Sequence, residues 1–325
     1  MKKTIYRTAV LTSIVLFTLA MTVGTAFAVT TPEFITQAGG FANAHSVAVG
    51  PTGDVYVCDL TNNVVKVYDN DLNLIDQWTG FDWPNGVAVA AAPGSGIVYV
   101  ANWNTGVIEV YTADGTYQTE FDIPGNPARL AVDASGNVYV SEFTNNSVAM
   151  YPPNGGGGTP VWRNNVIPSP GGIAVDGGHV YVGSQSTNAI YVVNATTGAI
   201  QDTWSGLGLS QPTAIAADGD GHLFVADSDN NRVQILTTAG ALELTFTGAD
   251  GGGAAFAQPY GVAIDADGEI FVAEATGARV QKFKTAYPAP PAVSTSASSA
   301  WSIAVLAAAG VALFAVGKKR FLGNH

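Results

Sequence analysis

Val55-Tyr56-Val57, Val98-Tyr99-Val100, Val138-Tyr139-Val140, Val180-Tyr181-Val182, Leu223-Phe224-Val225 and Ile270-Phe271-Val272 are one apolar triplet written six times. A second column precedes it, VAV, VAV, LAV, IAV, IAA and VAI, with its central Ala at 48, 88, 131, 174, 216 and 263. The steps between these alanines are 40, 43, 43, 42 and 47 residues. Eleven positions after the last residue of each first-column triplet stands Tyr68, Tyr111, Tyr151, Val193, Leu236 or Phe283, without a gap in any unit. A period of this length marks a repeat architecture.

Each unit reads as four short strands, here called a to d from the first to the last. Strand a carries the alanine, strand b the aromatic triplet, and strand c a run such as Val64–Tyr68. Strand d is expected to end at Trp78, Phe121, Trp162, Trp204 or Phe246. Turn residues such as Asp220-Gly221 and Asp267-Gly268 separate a from b. One small sheet cannot bury both of its faces, whereas six arranged radially can, so the reading is all-β, a six-bladed β-propeller. The sixth unit stops after strand c, at Tyr287. Glu33-Phe34-Ile35-Thr36, just before the first unit, is expected to supply its missing strand and remove an open edge.

Outward from the repeats, residues 29–287 form the propeller and the ends carry targeting signals. Residues 1–28 read as a signal peptide: Lys2, Lys3 and Arg7, an apolar run from Ala9 to Ala20, then Ala26-Phe27-Ala28. Pro288 to Ser299 is a Pro/Ser-rich stalk. Ala300 to Gly317 has no charge and, as a helix of about 27 Å, just crosses a bilayer. Lys318, Lys319 and Arg320 then place the tail, 318–325, in the cytoplasm. The expected arrangement is a single-pass type I cell-membrane protein with its propeller, a monomeric ectodomain, outside.

Between signal and tail lie seven Lys/Arg against all 25 acidic residues, a net −18. Such a field repels phosphate backbones, which argues against nucleic-acid partners. The only cysteine, Cys58, has no disulfide partner and cannot build a cysteine zinc site.

The stretches Gln258-Pro259-Tyr260-Gly261-Val262-Ala263-Ile264-Asp265 and Val225-Ala226-Asp227-Ser228-Asp229-Asn230-Asn231-Arg232-Val233 resemble the NHL-repeat signature. Related pieces are Trp83-Pro84-Asn85-Gly86-Val87-Ala88-Val89 and Val57-Cys58-Asp59-Leu60-Thr61-Asn62-Asn63. The resemblance covers residues 33–287. In units two and four Asn102 and Ser184 replace the acid, and neither unit carries the Arg. The resemblance implies a propeller, and the fold by itself implies no activity.

Loops joining d to a and b to c are expected at one rim of the channel, the upper one, and a–b and c–d turns at the other. His45 falls in a d–a loop, whereas His179 and His222 fall in lower turns, so the histidine metal site of an amidating lyase from the same repeat family is not expected. Where strand b ends, Asp59, Asn102, Glu142, Ser184, Asp227 and Glu274 make a polar ring. Two readings stand for it. Asp59, Asn102, Glu142, Asp227 and Glu274 offer oxygens to Ca²⁺ or another divalent cation, as in propeller lactonases of similar architecture. Alternatively the ring holds the b–c turns and pairs with neighbouring arginines. No other cofactor is expected.

Two residues before each strand-a alanine stand Ser46, Gly86, Arg129, Gly172, Ala214 and Gly261, five small residues and one arginine. Arg129 is either a counterion for the ring carboxylates or an anchor for an anionic ligand. Trp83, Trp103, Phe143 and Tyr260 are the rim aromatics, with Trp103 and Phe143 at one position in adjacent units, a pairing suited to stacking on a sugar or peptide. With His45 they make the candidate ligand rim. Nucleophile–base pairs and phosphate-binding loops are not apparent. The expected role is therefore a binding module for a protein, peptide or glycan. The alternative is a lactonase-like hydrolase or lyase using the rim carboxylates.

Overall fold

A computed structural model describes residues 30–90 and 96–284. The signal peptide, the stalk, the apolar span 300–317 and the tail lie outside these residues. Among the described residues no helix is long and apolar enough to cross a membrane.

Six antiparallel four-stranded sheets make six blades. Blade 1 runs Ala44–Val49, Val55–Asp59, Val64–Tyr68 and Leu74–Thr79 for strands a to d, and blade 2 Pro84–Ala90, Ile97–Asn102, Val107–Thr112 and Tyr117–Asp122. Blade 5 runs Pro212–Ala217, His222–Asp227, Arg232–Thr237 and Leu242–Phe246. The repeated columns superpose in register: Val47 faces Val57, Val87 faces Val100, and Val262 faces Val272 across the a–b pair. Both faces of strand b are buried because a blade is packed on each side. That is why these triplets are apolar without alternation.

The closing strand is as expected, and longer. Glu33–Gly39 pairs antiparallel with Arg279–Lys284, so blade 6 takes its d strand from the start of the chain. Its Phe34 packs edge-on against Phe283, at 5.8 Å between ring centres.

Aromatics of strand d fill the space between blades. Trp78 stacks on Tyr111 of blade 2 at 5.4 Å, and Trp204 lies against Tyr181. A left-handed glycine in the next blade's c–d turn leaves room for each. A Cβ on Gly115 would come within 2.7 Å of Trp78, and one on Gly240 within 2.7 Å of Trp204. In blade 3 the expected strand end is corrected: Trp162 begins strand d, Trp162–Asn164, and pairs with Met150, so Asn164 holds the place that Trp78 holds in blade 1. The glycine-rich turn Pro153–Gly158 shifts the spacing there. Trp162 still reaches blade 4, donating its indole N–H to Ala195 O at 2.9 Å.

Candidate functional site at the upper rim

The b–c and d–a loops do meet at one rim. A ladder of backbone bonds ties them in every blade: Leu60 N to Asn43 O, Trp103 N to Trp83 O, Phe143 N to Asn126 O, Gln185 N to Ser169 O, Ser228 N to Gln211 O and Ala275 N to Gln258 O. This scaffold fixes the positions of all the rim candidates.

The polar ring is a set of struts inside the blades. Asp59 accepts from the Ala42 and Asn43 amides and pairs with Lys66 at 3.6 Å. Asp227 accepts from Ser210 N and Asn230 Nδ2 and pairs with Arg232 at 2.6 Å. Glu274 accepts from Ala257 N and Gln281 Nε2 and pairs with Arg279 at 2.7 Å. Glu142 is held by Ser147, Tyr151 and Arg163, the last at 2.8 Å. Asn102 accepts from Asp82 N and donates to Glu109, and Ser184 donates to Pro168 O. All six are buried. Glu142 does not turn to the channel mouth beside Arg129, as a ring of carboxylates with an arginine counterion would require: its partners lie on strands c and d, away from the axis. Among the described residues no three His, Cys, Asp or Glu side chains gather as a metal site. The geometry does not bring Asp59, Asn102, Glu142, Asp227 and Glu274 around one cation, and their oxygens are already engaged by the protein's own donors.

One column in this scaffold was missed at the sequence level. Asn63, Asn146, Asn188 and Asn231 each stand six positions after the last residue of the strand-b triplet, and each has a left-handed backbone. Asn tolerates that conformation better than most side chains. Their Oδ1 atoms accept the amides of Trp83, Ser169, Gln211 and Gln258 in the next blade, at 2.7 to 3.0 Å. Blades 2 and 6 have Gly106 and Ala278 instead, so the 2–3 and 6–1 seams lack this clasp.

The aromatics separate into two groups. Trp103 and Phe143 face each other across the unclasped 2–3 seam, with ring centres 5.5 Å apart and planes inclined by 52°. Both are half-buried. Asn126, in the loop beside them, donates to Trp103 O at 2.6 Å. Trp83, 47% exposed, is tied to Trp103 through the backbone ladder. Tyr260 sits on blade 6 against His45, 4.8 Å between ring centres.

His45 is corrected from loop to strand: it is the second residue of blade 1's strand a and is buried. Burial, and then the Arg129 guanidinium, hold its imidazole well below the ordinary value of 6.5, so the ring is neutral. Its Nδ1 lies 3.2 Å from Arg129 Nη1. The same Nδ1 lies 3.2 Å from Asn85 O, a carbonyl that also accepts from Nη1, so the imidazole, the guanidinium and the Asn85 carbonyl meet at one point.

Arg129, only 6% exposed, crosses the channel. Its Nη1 donates to Asn85 O and Oδ1, at 2.7 and 2.5 Å, and to Ala128 O. Its Nη2 donates to His45 O at 3.1 Å and Tyr260 O at 2.9 Å. One side chain thus fastens blade 3 to blades 2, 1 and 6. The reading of Arg129 as counterion of the ring is overturned, since none of its partners is a carboxylate and each ring acid has its own donors. The smallness of the other residues in this column follows from close packing. A Cβ on Gly172 would meet the Ala214 backbone at 2.7 Å, and one on Gly261 would meet Val47 N at 3.0 Å.

A cavity of about 370 Å³ opens at the opposite rim between the a–b turns of blades 1 and 6, beside Asn70, Val89, Asp265 and Asp267. Burial raises the Asp265 carboxyl. Asp265 accepts the Asp267 and Glu269 amides and so holds its own turn.

The profile described as NHL repeat matches residues 209–236, and the one described as outer membrane protein assembly factor BamB matches residues 41–205. No curated protein matches the chain. Among solved structures, a catalytically inactive virginiamycin B lyase from Staphylococcus aureus with quinupristin is similar, with TM-score 0.57 and 17% identity over 74% of this chain and 80% of that one. A streptogramin B lyase structure is similar with TM-score 0.58 and 13% identity, over 78% of this chain and 97% of that one. At such identities the likeness speaks for the fold. With six blades in place and both profiles in register with them, the chain belongs to the repeat β-propellers that these profiles describe, the NHL-repeat family and the one bearing the assembly factor's name.

Proposed function

We propose that this protein is a binding module, held outside the cell by its C-terminal span, whose upper rim takes a protein, peptide or glycan ligand on the aromatic strip Trp83, Trp103 and Phe143. The observation that carries this is the contrast of burial at one rim: every ring acid is buried and consumed by the fold, while Trp83 is exposed and Trp103 and Phe143 stay half-exposed on adjacent loops. Rigid aromatic surface beside amide groups such as Asn126 is what stacking recognition uses. Probing glycan and peptide arrays with the full-length protein tests the proposal. Signals lost on Trp103→Ala support it, and an array blank for both proteins, or signals unaffected by Trp103→Ala, sinks it.

A lyase is the second reading, favoured by the similarity of fold to the streptogramin B lyases. Linearisation of a streptogramin B by the purified protein, followed by mass spectrometry, decides that reading directly.

A further inference from the structure

Of the seven basic residues between signal and tail, five pair with a carboxylate: Lys66, Arg163, Arg232, Arg279 and Lys282. Lys284 is exposed. Arg129 alone is a buried cation with no carboxylate in contact, among the described residues. A guanidinium taken out of water without a counter-charge is costly, and carbonyl dipoles offset only part of that cost. Burial lowers its pKa to about 10, and no carboxylate is among the groups that act against this.

The guanidinium also leaves one donor unused. Its Nη positions are satisfied by the channel wall, whereas the buried Nε–H has no acceptor. The carbonyls that hold Nη1 and Nη2 belong to Asn85, His45 and Tyr260, each one residue before the small-residue column. One step further along the same strands is a cavity of about 30 Å³, lined by Arg129 itself and by Val47, Val87, Leu130, Ile173, Ile215 and Val262, one from each blade. The guanidinium therefore roofs this space. With the Nη groups taken, the Nε–H is the guanidinium donor left to serve it, and the Ser46 side chain lines the same space.

We propose that the cavity holds a monatomic halide, bound to the Arg129 Nε–H on the channel axis. A water of the same size would accept that hydrogen bond and leave the charge uncompensated. A halide does both, and a charge-assisted bond is about twice as strong as a neutral one. The lining is apolar apart from Arg129 and Ser46, so a sulfate, a phosphate or a ligand's carboxylate would bring oxygens that find no donors there, and a monatomic anion is favoured. The acidic ectodomain repels anions at long range, which makes the binding weak and specific to this buried position. The site is independent of the rim aromatics and of any ligand there.

The test uses the full-length protein. Melting temperature is followed as chloride replaces gluconate at constant ionic strength, for wild type and for Arg129→Gly, the residue that blades 2, 4 and 6 carry in this column. Wild type is expected to rise in Tm with each tenfold step in chloride, as ligand linkage requires, and the variant to show no such dependence. Crystals grown in bromide should show an anomalous peak within hydrogen-bond reach of Arg129 Nε, which keeps the proposal testable if the variant does not fold. Equal chloride dependence in the two proteins, or water alone at that place in bromide crystals, overturns it.

Discussion

The seam between blades 5 and 6 and the seam between blades 2 and 3 are built on the same plan from different residues. At the first, Asn231 clasps the Gln258 amide, Asp227 holds Arg232, and the b–c position carries Ser228, buried and donating to Pro259 O at 2.5 Å. At the second, Gly106 offers no clasp, Asn102 stands in for the acid, and the b–c position carries Trp103, half-buried against Phe143. Where the repeat residues are kept, the rim is closed and polar groups are used up. At the 2–3 seam, where blade 2 has lost them, large aromatic surface stands instead. The difference separates residues that make the propeller from residues that it presents.

The closing strand marks the structural extreme of that division. A chain lacking residues 30–39 leaves the edge of Arg279–Lys284 unpaired and strips Phe34 from Phe283. Loss of cooperative unfolding, with aggregation in light scattering, is the expected outcome. A monomer as stable as the full chain would mean that closure does not depend on this strand.

Next in size is the ring. Asp227→Ala removes the partner of Arg232 and the acceptor of the Ser210 amide. It should cost about 3 kcal/mol in denaturant unfolding, toward the low end for breaking a buried pair because Arg232 keeps some water. Asn102→Ala breaks neutral hydrogen bonds and should cost about half as much. Equal costs would erase the distinction between the two seams.

The clasp gives a smaller, sharper contrast. Asn231→Ala loses one hydrogen bond and strains a left-handed position, expected at about 1–2 kcal/mol in the same assay. Asn231→Gly should recover the strain part. Ala278→Asn, by supplying the absent residue at the 6–1 seam, should be neutral or stabilising.

His45 gives a pH signature. Its folded pKa is depressed, so the unfolded chain binds more protons in acid. Its contribution to stability is full above about pH 6.5 and is lost as pH falls below that value toward the folded pKa. Stability measured from pH 7 to pH 5 should fall more steeply in wild type than in His45→Gln. Identical slopes would show that the imidazole is not held neutral against Arg129.

Most of the fold was legible because period and register are properties of the chain itself. Six triplets with fixed spacing to strand c named the blades, and a sixth unit without strand d pointed to Glu33–Thr36. Side-chain direction was less legible. The ring acids were correctly placed at the ends of strand b, yet the period does not say that Glu142 turns toward Arg163, which comes from strand d. Trp162 slipped by two positions because the turn 153–158 interrupts the spacing. Arg129 was legible as an exception in a small-residue column, while its partners on three other blades meet it only when the ring closes. The clasp asparagines had a readable signal, a constant six-residue offset that was overlooked beside the stronger triplet.

The central claim is that the aromatics at the 2–3 seam are presented by the propeller and do not hold it together. Measuring affinity for an array-identified ligand and Tm on the same preparations of wild type and Trp103→Ala tests it most directly. Affinity is predicted to fall by about 1–3 kcal/mol while Tm stays nearly constant. A large drop in Tm with affinity unchanged would make Trp103 a packing residue and contradict the account.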